Sequence, residues 1–195
     1  GIQKSVRYFK YDENDDPVLI KETKTNLFTS SSDFPDFHIA GAHMTGGIVQ
    51  SFKKYYYPFL PKQVEETTYS LSGGVSNTVV HDYHYNGSGY LVRQTTTGSN
   101  GVPVSSMALY PEDFPAGTIF LDDMKNNNLL KFPIERVKYN ETNGTKYILS
   151  GQIVKYKESG KGQIDEVMDM ENPGKNPMTN FKFSNRSTGI LPPAG

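Results

Sequence analysis

The sequence predicts an all-β fold in which antiparallel hairpins stack into a repeat-built, extended or curled sheet, with at most one or two short helices. The chain of 195 residues contains 13 Tyr and 11 Phe, and aromatic residues favour the pleated, half-exposed surface of strands. Its 18 Gly and 12 Pro supply the turns that separate short strands. The third observation is a pattern that returns at a nearly constant spacing, as in repeat architectures.

The returning pattern involves two separate segments. Residues 19–23 (Leu-Ile-Lys-Glu-Thr) return as residues 91–95 (Leu-Val-Arg-Gln-Thr), an offset of 72, and residues 64–69 return as residues 134–139, an offset of 70. Two segments that share nearly one offset indicate a duplicated unit. We therefore expect a repeat-built β domain over residues 1–171, with units at about 3–72 and 73–150 and a degenerate unit at 151–171, followed by a loosely ordered tail at 172–195.

The first unit opens with a predicted hairpin. Residues 6–11 and 18–25 have the composition of strands, and the Asp, Asn and Pro residues between them favour a turn. A polar, irregular stretch is expected at residues 27–52, and a third strand at residues 64–69. The unit is thus a hairpin, a spacer and one more strand.

The second unit repeats this order with a tighter turn. Residues 78–85 alternate as a strand does, and residues 90–97 form the returning strand. Between them, Gly87 and Gly89 can adopt the positive φ that tight hairpins often need. The cleaner turn makes this the stronger of the two hairpin predictions.

The spacer of the second unit, residues 98–128, contains the one predicted helix. Residues 118–125 place Leu121 and Met124 three positions apart on one apolar face, and Thr118 is suited to cap the first turn. We expect little other helix.

Two further strands are expected after residues 134–139, the third strand of the second unit. Asn143-Gly144 between two strand-like runs is a strong hairpin signal and precedes a strand at residues 145–157. A last strand is expected at residues 179–184, within the loosely ordered tail.

The second turn resembles a known repeat. Residues 85–91 (Tyr-Asn-Gly-Ser-Gly-Tyr-Leu) resemble the Tyr-Asp-x-x-Gly-x-Leu core of the YD-repeat (Rhs-like) family, with Asn86 in place of Asp. Residues 11–12 keep the Tyr-Asp pair, followed by Leu19 after a longer turn that lacks Gly. The resemblance, which covers roughly residues 3–165, implies extracellular or surface-attached bacterial β-structure built from hairpins side by side.

Composition excludes several classes of function. The chain has 20 Lys and Arg against 21 Asp and Glu, without the basic stripe that nucleic-acid binding requires. It has no Cys, which removes disulfides, thiolate nucleophiles and Cys-ligated zinc. No apolar run reaches the 18 or so residues of a membrane-spanning helix. Because no Met precedes Gly1, we expect Gly1 to be a remnant of tag cleavage after removal of a signal or upstream segment.

Two groups of residues resemble metal sites. His81 and His84 lie on one strand, whose alternation sends them to opposite faces, so surface or partly packed histidines are the better interpretation than a metal pair. The acidic run that starts at Asp12 partly matches a calcium loop, but Pro17 occupies the position of the required Gly and Thr23 that of the required Glu. A hairpin turn is the preferred interpretation there, and no metal or cofactor is expected.

Neither the carboxylates nor the hydroxyls form a recognisable catalytic set. Glu65 and Glu66 are adjacent on a strand and point to opposite faces, so they cannot flank one glycosidic bond. Glu135 stands at the equivalent place in the second unit, which favours pairing with Lys or Arg across strands. We expect that the protein is not an enzyme.

The tyrosines provide the one candidate binding site. A flat apolar ring with a hydroxyl suits a glycan, and the alternative is a set of cross-strand aromatic pairs that hold the sheet together. The residues of this candidate glycan platform are Tyr55, Tyr56, Tyr57, Tyr83, Tyr85 and Tyr90.

The expected function is a non-catalytic, secreted or cell-surface β-repeat module that acts as a scaffold or interaction surface. A carbohydrate-binding module is the alternative. Expected partners are neighbouring repeats or modules of a longer chain, or further copies of the chain through exposed sheet edges. A glycan is the partner in the alternative, and attachment through a lipid on a removed N-terminus is compatible with the surface location.

Overall fold

The computed structural model is mostly antiparallel β-sheet with one short α-helix in the described part of the chain, which confirms the predicted fold class. It divides into two compact units, Gly1–Leu91 and Val92–Ala194. The structure describes residues 3–28, 38–45, 48–55, 60–117, 119–157, 161–170 and 176–180.

The described residues of the first unit form six strands in two sheets. They are β1 (Gln3–Tyr11), β2 (Pro17–Leu27), β3 (His38–Thr45), β4 (Ile48–Tyr55), β5 (Pro61–Tyr69) and β6 (Val75–Tyr85). Strands β1, β2, β5 and β6 pair in that order, and β3 and β4 form a separate antiparallel pair. The third strand of the unit, β5, therefore lies directly against β2.

In the second unit, the part of the chain that the structure describes forms six more strands and the helix. They are β7 (Leu91–Thr97), β8 (Pro103–Leu109), α1 (Ile119–Asn126), β9 (Glu135–Thr142), β10 (Thr145–Tyr156), β11 (Ile164–Asp169) and β12 (Asn176–Pro177). Strands β7 to β11 pair in chain order, and β12 pairs with β10. In the first unit the third strand, β5, pairs directly with β2. In the second unit β8 lies between β7 and the third strand, β9, so the two units differ in topology.

The hydrophobic core of the second unit is formed by the helix and one sheet face. The helix buries Leu121 and Met124, the two residues whose spacing predicted it, and both are 1% exposed. They pack with Ile134 and with Ile148, which is completely buried. The predicted range 118–125 and the observed helix agree within one residue, whereas the expected cap Thr118 lies outside the described residues.

The turns between strands follow the sequence closely. Asn143 and Gly144 have φ values of 51° and 73°, as a tight hairpin requires. In the turn after β6, the Tyr90 amide donates a hydrogen bond of 2.8 Å to the side-chain oxygen of Asn86, and Gly89 has a φ of 79°. Gly87 does not have positive φ, so one glycine and not two provides the left-handed residue of this turn.

Five of the ladders contain a register shift of the kind produced by a β-bulge. The shifts lie in the pairs β1–β2, β2–β5, β5–β6, β9–β10 and β10–β11. In the pair β9–β10, the shift falls between Ile148 and Ser150, next to the most buried aliphatic residue. Such extra residues bend a strand and increase its twist.

Three predicted segments require correction. The stretch expected to be irregular at residues 27–52 contains β3 and the start of β4, and the stretch at 98–128 contains β8 as well as the helix. The strand expected at 179–184 is wrong at its first two residues, since Met178–Asn180 form a 3-10 turn. Met178 is 5% exposed and belongs to the core cluster, so this part of the tail is packed.

Candidate functional site

Strand β1 forms one open edge of the first unit. In the described part of the chain it pairs with β2 and with no other strand. All its described side chains, residues 4–11, are exposed. Four are large and apolar or aromatic, with exposed fractions of 50–64%: Val6, Tyr8, Phe9 and Tyr11. An exposed edge that carries apolar side chains can accept another strand.

Strand β11 is the corresponding edge of the second unit. It pairs with β10, and every one of its side chains is exposed. Ile164, Val167 and Met168 are 56%, 47% and 41% exposed. We refer to β1 and β11 together as the two open edges. Their exposure follows from the order of strands in each unit and not from their sequences alone.

A buried carboxylate fixes β1 to the rest of its sheet. Glu22 on β2 is 5% exposed and lies opposite Arg7 in the ladder. The Arg7 Nε donates a hydrogen bond of 2.7 Å to Glu22 Oε1, and the Ser5 hydroxyl donates another of 3.1 Å. On the other carboxylate oxygen, Lys24 Nζ lies at 3.2 Å and the Tyr69 hydroxyl at 3.4 Å.

These partners keep Glu22 ionised at neutral pH. The hydrogen bond from Arg7 is the main cause that holds the pKa of the Glu22 carboxyl at about 2, with Lys24 and Ser5 as further donors. The contact between Lys24 and Glu22 in turn raises the pKa of Lys24. A general acid or base works best when its pKa lies near the operating pH. Glu22 is therefore suited to hold strands together and not to transfer protons.

The two neighbouring glutamates behave as the alternation predicts. Glu66 pairs with Lys21, with 3.0 Å between Oε2 and Nζ, and Glu65 pairs with Lys24 at 3.6 Å. Because Lys21 and Lys24 lie on opposite faces of β2, the prediction that Glu65 and Glu66 point to opposite faces is confirmed. The two carboxylates each stabilise a strand pair instead of facing a common space.

Glu135 differs from its counterparts in the first unit. It is 2% exposed. The residues directly opposite it on the two neighbouring strands are Leu109 and Ile153. Glu135 therefore differs from Glu65 and Glu66 in its burial and in the aliphatic residues opposite it, and its pairing with Lys or Arg stays a prediction.

A row of amide and carboxylate side chains crosses three strands of the first unit. The Asn26 amide donates to the Gln63 side-chain oxygen at 3.3 Å, and the Gln63 amide donates to Asp82 at 2.9 Å. These residues occupy opposed positions on β2, β5 and β6. Sequence analysis did not find this row, because its three members are far apart in the chain.

His81, Tyr83 and Tyr85 form an aromatic row on one face of β6, because they alternate along the strand. The rings of His81 and Tyr83 are 6.5 Å apart, and the Tyr85 ring meets Phe28 edge-on at 5.9 Å. Burial raises the pKa of the Tyr85 phenol to about 12 and also raises that of Tyr83. Tyr85 therefore serves at least partly in packing.

The candidate glycan platform also includes tyrosines outside β6. Tyr90 follows the β6 turn and is half-buried. The side chain of Tyr55 and all of Tyr56 and Tyr57 lie outside the described residues. His84 lies three positions from His81 on β6, so their side chains belong to opposite faces of the strand.

The acidic turn after β1 is a hairpin turn, as preferred from the sequence. The Asp12 carboxylate accepts hydrogen bonds from the amides of Asn14 and Asp16 at 2.8 and 2.9 Å, and these bonds lower its pKa. Asp15 completes the turn with a φ of 66°. The Asp12 oxygen that would bind a cation thus organises the turn itself.

The described residues contain neither a metal-binding cluster nor a membrane-spanning helix. Their His, Asp and Glu side chains do not gather into a group of three that could bind a metal ion. Within the same residues, no helix has the length and apolar character needed to cross a membrane. Comparison with models of known protein families and with curated proteins gave no match.

Proposed function

We propose that this chain is a non-catalytic β-sheet module of a secreted or cell-surface protein, and that it acts as a scaffold or interaction surface. The observation that carries the proposal is the pair of open edges. Each presents a row of exposed side chains in a strand of six or more residues, paired along one side in the described structure. Edges of this kind bind extended segments through main-chain hydrogen bonds.

The charged groups of the first unit support a structural role. Glu22, Glu65 and Glu66 are each engaged by a cation on a neighbouring strand. Glu22 is also kept ionised by a pKa of about 2. These carboxylates stabilise the strand pairs that hold β1 in place. The ion pairs of the first unit therefore serve to maintain its open edge.

The location is proposed from the sequence resemblance. Residues 85–91 resemble the core of YD repeats, whose family implies a bacterial extracellular or surface setting. In such a setting, hairpins placed side by side form an extended sheet, and an open edge is where the next module would join. Neighbouring modules of a longer chain and further copies of this chain are therefore the partners in this proposal.

Selection from a displayed library of random extended peptides tests the proposal. The immobilised chain should enrich peptides rich in β-branched and aromatic residues. A Val6→Lys/Phe9→Lys variant should lose them, because lysines on an edge disfavour strand addition. Leu71→Lys is the matched control, since Leu71 is 68% exposed in the turn before β6. Peptides that bind the control and the edge variant equally, or no enrichment, would overturn the proposal.

Carbohydrate binding is the second candidate, favoured by the aromatic row on β6. Tyr83 is half-buried and lies beside His81, with Glu66 near enough to contribute to its raised pKa. An aromatic ring with polar groups nearby is a usual arrangement for sugars. On a glycan array, Tyr83→Ala should remove binding and Tyr11→Ala should keep it. An array without hits for the wild type would eliminate this candidate.

A further inference from the structure

The two open edges carry opposite charges. The charged residues of β1 are all basic: Lys4, Arg7 and Lys10. Those of β11 are all acidic: Asp165, Glu166 and Asp169. All six of these charged residues are exposed. The whole chain has a net charge of −1, so this separation of charge is a property of the edges and not of the composition.

Resting on the scaffold role proposed above, we infer that β1 of one copy of this chain pairs with β11 of another. Every ladder described in the structure is antiparallel, so the new ladder continues that arrangement. The partner is therefore a second copy, held by main-chain hydrogen bonds and by complementary side chains.

Two antiparallel registers, with either Val6 or Phe9 opposite Val167, each form two opposite-charge pairs. Placing Val6 opposite Val167 puts Arg7 opposite Glu166 and Lys4 opposite Asp169. Two opposite-charge pairs and two apolar pairs, Val6 with Val167 and Phe9 with Ile164, are thus formed together. Directly opposed pairs are the units that stabilise a sheet. Shifting the register by two residues in one direction puts Lys4 opposite Val167 and leaves neither charge pair.

Arg7 is well placed to hold a carboxylate of the second copy. Its Nε is used by Glu22, and its side chain is 61% exposed. A guanidinium has five N–H donors, so the bond to Glu22 orients the group and leaves other donors for Glu166. The buried Glu22 thereby acts as a positioning residue for the edge.

The charges also favour unlike edges over like edges. Two β1 strands side by side would bring six cations into one seam, and two β11 strands would bring six anions. Directly opposed like charges destabilise a sheet. The favoured contact is therefore between two different surfaces, which leaves one β1 and one β11 open at the ends and allows further copies to add.

Sedimentation velocity of charge-swapped variants tests this inference. An acidic-edge variant (Lys4→Glu/Lys10→Glu) and a basic-edge variant (Asp165→Lys/Asp169→Lys) should each be monomeric where the wild type forms species larger than a dimer; both keep the pair of Arg7 and Glu166. Mixing the two variants should restore those species, since each acidic edge then meets a basic one. Lys131→Glu/Lys138→Glu, at exposed residues that lie on neither β1 nor β11, is the control and should associate like the wild type.

Circular dichroism and the urea midpoint of each variant ensure that loss of association is not loss of folding. Raising the salt concentration should weaken wild-type association, because exposed charge pairs are screened. A wild type that stays monomeric at millimolar concentration, a closed dimer, or single variants that associate unchanged would overturn the inference. In those cases, peptide enrichment at β1 would still support the scaffold role, so the two failures are distinguishable.

Discussion

Replacing Leu121 by Ala should lower the free energy of unfolding by about 3 to 4 kcal/mol. Leu121 is 1% exposed and belongs to the core cluster that α1 forms with the sheet of the second unit. The substitution removes three carbon atoms, and about 0.8 kcal/mol for each buried methylene gives roughly 2.4 kcal/mol. Incomplete collapse of the remaining cavity adds to this value. Alanine is a strong helix former, so the change measures burial and not helix propensity.

Urea unfolding followed by circular dichroism is the appropriate assay. With a slope of about 2 kcal/mol per molar urea, the expected loss moves the midpoint down by roughly 1.5 to 2 M. Leu71→Ala makes the same chemical change at a residue that is 68% exposed and should stay within about 0.5 kcal/mol of the wild type. If Leu121→Ala unfolds with the wild-type midpoint, or both variants lose the same amount, the assignment of the core to this helix face is wrong.

Three further predictions concern a carboxylate, a turn and a phenol. Because the pKa of Glu22 is about 2 against an ordinary value of 4.5, its stabilising effect is complete above pH 4.5 and is lost as the pH falls toward 2. Glu22→Gln should therefore have a lower free energy of unfolding than the wild type at pH 7, and that energy should fall less steeply as the pH is lowered. Urea titrations at pH 7, 4 and 3 measure both effects. If the two proteins lose stability in parallel as the pH falls, the reasoning is contradicted. Gly144→Ala should cost about 1 to 2 kcal/mol, because Gly144 has a φ of 73° and open space around its Cβ position. Gly98→Ala, where a Cβ would make an ordinary contact of 3.7 Å, is the control and should be nearly neutral; equal losses would show that φ is not the cause. The pKa of Tyr85 is about 12 against 10.0 ordinarily, so its contribution to stability is present below pH 10 and lost as the pH rises through 12. Phenolate absorbance should accordingly lose its component near pH 12 in Tyr85→Phe, and an unchanged titration curve would refute this.

The elements that the sequence predicts best are those whose pattern is local. Residues 118–125 predict the helix because Leu121 and Met124 share a face, and Asn143-Gly144 predicts a turn because both residues accept positive φ. The strands of the predicted irregular stretches were missed for a physical reason. In β8 the buried face includes the polar Ser105 beside Met107, so the apolar alternation is interrupted.

The site residues that the sequence does not reveal depend on pairing between distant segments. Glu22 looks like a solvent-exposed strand glutamate, since isolated glutamates are rarely buried. Its burial results from Arg7 on one neighbouring strand and Tyr69 on the other. In the same way, the basic residues of β1 and the acidic residues of β11 can be read from the chain, but their position at open edges follows from strand order alone.

The register shifts of the ladders have a consequence for folding fidelity. A sheet made of similar hairpins can mispair by sliding one strand past another, and a slip of one residue would turn every side chain to the wrong face. Near Ile148, a slipped β10 would bring its extra residue against a regular stretch of β9 and expose a side chain that is now fully buried. Each bulge thus favours a single register between the two strands that it joins.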